Sequence, residues 1–240
     1  LISVIIPTLN EEKRIAKALS QFTDEVKRKY SIEIIVSDGG SKDRTVEIAQ
    51  AKADKVIVHT LSRKQTIAEG RNAGAKVANG DILFFTNADT IIPDLDHFFD
   101  VMLQRLAPEK TIALTCNVFV FPEEERLSDR LVLKWFNWHN RMLNVIGMGM
   151  GRGECQMVKR KFFDAVGGYT ETLAAGEDYN LFMKLQKHGK TEFVKELMVY
   201  ESPRRYRKYG YPKIIWSWFK NSVAMIFFHR SAVQNWEEVR

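Results

Sequence analysis

DILFFTNADT, residues 81–90, sets four apolar residues, Ile82 to Phe85, in front of an abrupt polar ending, Asn87-Ala88-Asp89-Thr90. A short apolar run of this kind reads as a strand buried on both faces. Its ending leaves oxygen-bearing side chains at the carboxyl tip, and a core strand that finishes on a carboxylate needs something for that carboxylate to hold. The preceding sequence tells what sheet the strand belongs to. LISVIIP (1–7), SIEIIVSD (31–38) and KVIVHT (55–60) are apolar runs of similar length. Between them lie helical patterns: residues 10–30, with Ile15, Ala18, Leu19 and Phe22 on one face, then residues 41–51 and 64–78. Buried strands separated by amphipathic helices predict an α/β fold, a mostly parallel central sheet with helices on both faces. Right-handed crossovers then bring every strand's carboxyl end to one edge, where ligands of such sheets bind.

Beyond Pro93 the order loosens. A helix over residues 96–106 leads to the strand TIALTCNVFVF (111–121), an aromatic-rich helical stretch over 125–145 and a glycine-rich loop. GECQMVKR (153–160) reads as a strand and RKFFDAVGGY (160–169) as a short helix closed by glycine. A helix starting in AGEDYNLFMKLQKHG (175–189) and the strand TEFVKELMVY (191–200) complete a domain expected over residues 1–200, followed by a basic, aromatic tail over 201–240.

Composition narrows the function classes. Hydrophobic content of 45% with 28% charged residues argues for a globular chain and against disorder. The net charge of +6 is too mild and dispersed to indicate nucleic acid. Cys116 and Cys155 lack metal-type spacing and read as free thiols of a reducing compartment, and the scattered histidines make no zinc pattern. With no signal peptide before the first strand and no run long enough to span a bilayer, a cytoplasmic protein is expected.

Four segments are expected to meet at the ligand edge: Pro7-Thr8-Leu9-Asn10-Glu11, Ser37-Asp38-Gly39-Gly40-Ser41, the helix carrying Arg71, and Asn87-Ala88-Asp89. Asp38 and Asp89 could each be a turn or capping residue. Two carboxylates at neighbouring strand ends, however, are costly unless a cation or donor groups stand between them. A hard divalent ion takes oxygen ligands and shares them with substrate phosphates, so Asp89 is read as the residue for a metal carrying a diphosphate. A second pair, Glu177-Asp178, lies at a helix start, where acids are favoured by the dipole alone. Its approach through Ala174-Ala175-Gly176 equally suits a carboxylate aimed into a cleft as a general base.

VIIPTLNEE (4–12), VSDGGSKDRT (36–45), GRNAGAKVANGDILFFTNADT (70–90) and GGYTETLAAGEDYNLFMKL (167–185), in this order, resemble the family 2 glycosyltransferases of the GT-A fold. The resemblance covers about residues 1–200. It implies inverting transfer of a sugar from a nucleotide-diphosphate sugar such as a UDP- or GDP-sugar, with Mg²⁺ or Mn²⁺. By that similarity Thr8, Glu11, Asp38 and Arg71 hold the nucleoside, with Pro7, Asn10, Gly39, Asn87 and Ala88 in the same donor-facing loops. Asp89 takes the metal and diphosphate, and Asp178 is the catalytic base. One departure stands out: the family's usual DxD is here Asn87-Ala88-Asp89, an amide in place of the first acid, which implies weaker metal affinity or more reliance on Asp89 and the phosphates.

The loop GMGMGRGE (147–154) follows no first strand and opens no crossover helix, so a dinucleotide reading is set aside for a flexible loop or a lid. Arg152, Glu154 and Glu177 are candidates on the sugar and acceptor side. The tail SPRRYRKYGYPKIIWSWFK (202–220) mixes arginine and lysine with tyrosine and tryptophan and has no acid. Arg204 and Arg205 are candidates to grip the diphosphate. The remainder reads as a packed helix or as an interfacial segment lying on the inner face of a membrane, with a lipid-linked saccharide or polyprenyl phosphate as acceptor; stacking on nucleic acid fits the sugar site poorly. Two other readings stay open. A sugar-phosphate nucleotidyltransferase would want a basic, glycine-rich loop where PTLNEE stands. A catalytically silent nucleotide-sugar-binding protein would suit Asn87.

Overall fold

The structure is a computed structural model describing residues 1–173 and 175–228. In chain order its strands are β1 (Ile2–Thr8), β2 (Ile32–Asp38), β3 (Lys55–Val58), β4 (Ile82–Phe85), β5 (Thr111–Val120), β6 (Gln156–Lys159) and β7 (Lys190–Glu201). The helices are α1 (Ile15–Ser20), α2 (Asp24–Tyr30), α3 (Thr45–Gln50), α4 (Ile67–Val77), α5 (Leu95–Leu106), α6 (Leu127–Val145), α7 (Arg160–Ala165), α8 (Glu177–Leu185), α9 (Arg204–Tyr209) and α10 (Tyr211–Phe228). The strands form one sheet in the order β3-β2-β1-β4-β6-β5-β7.

Side-chain alternation along the strands explains why the sheet is covered twice. Val4 and Ile6 of β1, Ile34 and Val36 of β2 and Phe84 of β4 pack on one face with Ile15, Leu19, Phe98, Phe99 and Met102 of α1 and α5. Ile5, Ile35, Leu83 and Phe85 pack on the other with Ala68 and Ala75 of α4, Phe163 of α7 and Leu181, Phe182 and Leu185 of α8. Each fully buried Ile, Leu or Phe contributes about 1.5–3 kcal/mol, so both helical layers are held by the period-2 pattern of the strands. The expected α/β architecture is the one observed.

Two expectations are corrected. Residues 10–30 do not make one helix. The chain breaks after Ser20, and Thr23 starts α2 by accepting the Val26 N–H at 3.3 Å. The break frees Gln21, which donates to the Thr90 carbonyl at 3.1 Å and accepts from Ile92 N–H at 2.9 Å, tying the loop after β4 to this layer. The apolar face runs through both helices, which is why periodicity alone joined them.

The sheet is mostly parallel, as expected, but the expectation that every strand's carboxyl end lies on one edge fails at one strand. β6 is antiparallel to both β4 and β5; an apolar run carries no sign of direction. The reversal matters, because Gln156 pairs with Phe85, so residues just before β6 reach the edge where β4 ends. β7 runs parallel to β5 with Glu201 opposite Val120, and its carboxyl end reaches that edge too. From there the chain enters α9 and α10, where Tyr206 and Ile214 pack against Val120 of β5 and Leu133 of α6.

Candidate functional site

A cleft of about 300 Å³ runs along this edge. Following the strand order, its walls pass from Ser37, Gly39, Lys64, Gln65 and Ile67, through Pro7, Thr8, Glu11 and Asn87-Ala88-Asp89, to Arg152, Glu154, Asp178 and Glu201. Phe136, Tyr206 and Trp218, with Arg204 and Arg205, line the far end.

Asp38 does not line the cleft. It is fully buried and accepts from Thr8 Oγ1 at 3.0 Å, from the Gly40 and Ser41 N–H groups at 2.9 and 2.7 Å, and from Ser41 Oγ at 2.5 Å. Its oxygens thus shape the turn after β2 and hold it to the end of β1. Asn10 also serves the wall. In the left-handed region at φ 54°, it presents its N–H to Ser41 Oγ at 2.7 Å and its amide oxygen to Lys42 N–H at 2.9 Å. Gly39 does border the cleft.

Arg71 lies beneath the site. Projecting from α4, it is 2% exposed and donates to Glu177 Oε1 at 2.9 Å, Asn87 Oδ1 at 3.2 Å and the Gly153 carbonyl at 3.1 Å. One guanidinium therefore fastens the loop after β4, the loop before β6 and the start of α8. Glu177 and Arg71 are absent from the lining, and the side-chain amide oxygen of Asn87 is already engaged by Arg71. The glycine-rich loop, read as a flexible loop or a lid, is held at several points. Asn144 clamps Met150 through both backbone groups, at 2.7 and 3.1 Å. Gly149, at φ +66°, lies against the Phe182 carbonyl, and Gly153 against the Arg71 guanidinium, so a side chain at either would collide. These glycines permit close approach.

Five carboxylates face the cleft: Glu11, Asp89, Glu154, Asp178 and Glu201. Arg204, at the start of α9, forks onto Glu11, with one bond at 2.8 Å, and reaches Asp89 Oδ2 at 3.2 Å. Burial pushes the Asp89 carboxyl up to about 6, although Arg204 opposes the shift. Asp178 accepts the Tyr179 N–H at 2.9 Å and the Gly153 N–H at 3.2 Å. Burial, then the neighbouring Glu177 charge, raise its carboxyl to about 7. Gly176 precedes it with φ 82°, while Ala174 lies outside the described residues. Arg152 joins Glu154 at 3.2 Å and Glu201 at 3.0 Å, and Tyr206 donates to Glu201 at 2.5 Å. Burial first, and Glu154 second, push Glu201 up to about 8.

Among the described residues no three acid, histidine or cysteine side chains form a cage for a metal. Asp89 is the one acid of the loop after β4 that opens onto the cleft. That donor set fits an open site for a hard cation completing its shell with substrate oxygens. Sequence reading overlooked Glu201 and Tyr206. Val199-Tyr200-Glu201 carries the same signature as the quoted stretch, a buried strand ending on a carboxylate, and could have been found by it.

The fold is similar to that of a mannosyltransferase from Pyrobaculum calidifontis in complex with GDP-Man and Mn²⁺. The TM-score is 0.67 at 21% identity, over 90% of this chain and 59% of that one. It is also similar to S. aureus TarS 1–349 in complex with UDP-GlcNAc, with a TM-score of 0.61 at 18% identity over 84% and 58% of the two chains. In sequence, the human dolichyl-phosphate beta-glucosyltransferase is 31% identical over 143 residues, 54% of this chain and 44% of that protein. The chain spans less than two thirds of the first curated relatives it matches, 29% of one and 62% of the next. The family model described as glycosyl transferase family 2 matches residues 3–167, strands β1 to β6 with the cleft walls up to Glu154, and ends before Asp178, Glu201 and Arg204. With well over half of its length inside that match, the chain belongs to glycosyl transferase family 2.

Proposed function

We propose that this cleft transfers a sugar from a UDP- or GDP-sugar to an acceptor hydroxyl or phosphate with inversion at the anomeric carbon. The observation that carries the reading is that Asp89 and Asp178, 89 residues apart in the chain, open onto one crevice. The nucleoside would lie between Gly39, Thr8 and Glu11 at the β2–β1 end, with Asp38, Asn10 and Arg71 bracing those walls from behind. Asp89 would hold Mg²⁺ or Mn²⁺ with the diphosphate, where such an ion supplies charge neutralisation for the leaving group. Arg204 and Arg205 flank the diphosphate, and Arg152 with Glu154 borders the sugar. Asp178 takes the proton of the incoming hydroxyl; a carboxyl raised by burial is a stronger base once ionised. Charge that develops on the sugar and leaving group does so in a water-poor crevice, where fixed dipoles and charges act strongly.

The acceptor is read as lipid-linked. The far end of the cleft is aromatic, Phe136 packs on Trp218 with ring centroids 4.4 Å apart, and both helices carry exposed tryptophan nearby. The human relative's name includes a dolichyl phosphate. Among the described residues no helix is long and apolar enough to cross a membrane, so the contact proposed is peripheral.

A thermal-shift screen of UDP- and GDP-sugars with and without Mn²⁺ tests the donor assignment. A donor at a hundred times its Kd stabilises the fold by about 2.7 kcal/mol. Absence of any shift across the panel would remove the donor reading, while a shift without donor hydrolysis or transfer would favour a silent binding protein.

A further inference from the structure

Arg204 stands where a cation would act. Its two terminal nitrogens grip both oxygens of Glu11, and Nη2 also lies 3.2 Å from Asp89 Oδ2. Glu11 follows β1 and Asp89 follows β4, and these strands are neighbours in the sheet. A single guanidinium thus neutralises two carboxylates facing the same stretch of cleft, using the planar fork that suits carboxylates. A divalent ion at Asp89 needs the oxygen that Arg204 now approaches.

Building on the reading of Asp89 as the ion-holding carboxylate, we propose that Arg204 is the resident counter-cation of the empty cleft. It shields Asp89 until a nucleoside diphosphate arrives, so the ion enters together with the diphosphate and Arg204 passes from the acids to the phosphate oxygens. Two further observations support this ordering. The remainder of α9 and the start of α10 are anchored without Arg204: Tyr206 on Glu201, Arg207 on Asp129 at 2.7 Å, and Tyr211 on Asp129 at 2.6 Å. Arg204 can therefore change partner by side-chain rotation while the helix stays docked. In addition, Asn87 adds no charge beside Asp89, and its side-chain amide oxygen accepts from Arg71, so the loop has little power to recruit a free ion. A diphosphate changes both terms at once, offering Arg204 a competing forked acceptor and the ion a set of hard oxygens. Nucleotide and ion then raise each other's affinity equally.

The test is Mn²⁺ binding measured by loss of the free-ion EPR signal, with no turnover involved. Wild-type protein is expected to bind Mn²⁺ weakly alone and firmly with UDP or GDP. Arg204→Gln should bind Mn²⁺ without nucleotide about ten-fold more tightly or better than wild type, and adding Asp89→Asn should abolish the gain. Should Arg204→Gln melt early, Arg204→Met gives the same comparison. If nucleotide brings Mn²⁺ into both proteins but the Arg204 variants show no nucleotide-free gain, the counter-cation role is overturned and the reading of Asp89 stands. If neither protein takes up Mn²⁺ even with nucleotide, the reading of Asp89 itself is lost.

Discussion

At Asp178, the proposed base, two demands on such a group meet. Its carboxylate lies at the start of α8, where Tyr179 N–H fixes one oxygen and Gly153 N–H the other at 2.9 and 3.2 Å. Its environment lifts the carboxyl to about 7 through burial and the charge of Glu177, while Arg71 restrains the rise. The two charge influences are coupled, since Arg71 pairs with Glu177. Asp178→Asn keeps the shape and removes the proposed base. Turnover is expected to fall by about 10²–10⁴ with donor affinity nearly unchanged. In the native protein kcat/KM should rise with pH through about 7 as Asp178 ionises, and the variant should lack that limb. The comparison with the variant is needed because Asp89 and Glu201 also titrate nearby, at about 6 and 8. Turnover equal to native in Asp178→Asn would assign the proton to another group.

Among the elements, α6 has a sequence that does more than pack. One face buries Leu133, Phe136, Asn137, Asn140 and Asn144, and Asn137 bonds both backbone groups of Val118 at 3.1 and 3.0 Å. A second stripe, Leu127, Leu131, Trp135, Trp138 and Val145, is exposed at helical spacing, with Arg130, Lys134 and Arg141 exposed along its border. α10 adds exposed Trp216 stacked on Phe219 at 5.8 Å, and Lys220 stands over Trp216. An apolar stripe edged by cations suits an anionic lipid surface, with the rings at acyl depth and the charges on headgroups. Native protein should float with phosphatidylserine vesicles and be released by salt, whereas Trp135→Ser with Trp138→Ser should stay at the bottom of the gradient. Flotation unaltered by both changes would move the contact elsewhere. The elements also mark what sequence could reveal. Strand and helix order was legible because burial imposes periods of 2 and 3.6 on the residues themselves. The direction of β6 and the break at Gln21 were not, since pairing partners and a single capping hydroxyl leave periodicity unchanged. At the site the same limit applies: Asp89 and Asp178 could be named from strand and helix ends, but only three-dimensional packing reveals that Asp38 spends its oxygens on Thr8, Gly40 and Ser41, or that Glu177 is Arg71's partner.

Considered whole, the molecule concentrates half-buried acid along one sheet edge, and that has a consequence for its stability. Asp89, Asp178 and Glu201 are raised to about 6, 7 and 8, in each case by burial first, against about 4 for carboxyls in an unfolded chain. Over the interval from pH 5 to 8 these three carboxyls therefore hold more protons in the folded chain than in the unfolded one, and their contribution makes folding stability decline as pH rises. Carboxyls held low elsewhere, such as Glu33 and Asp129, act in the opposite sense but finish ionising at lower pH. The ligand-free protein is thus expected to melt at progressively lower temperature from pH 5 to 8. Asp178→Asn, which removes one buried charge, should flatten the decline and melt above the native protein at pH 8. A nucleoside diphosphate with Mn²⁺ should restore most of the loss at the alkaline end, because cations and donor groups then face the ionised acids. Scanning calorimetry across that range decides the matter: a native melting temperature that climbs steadily from pH 5 to 8 would mean the cleft carboxyls ionise freely in water, and a fold that stores no such charge could not hold Asp178 as a base raised by burial.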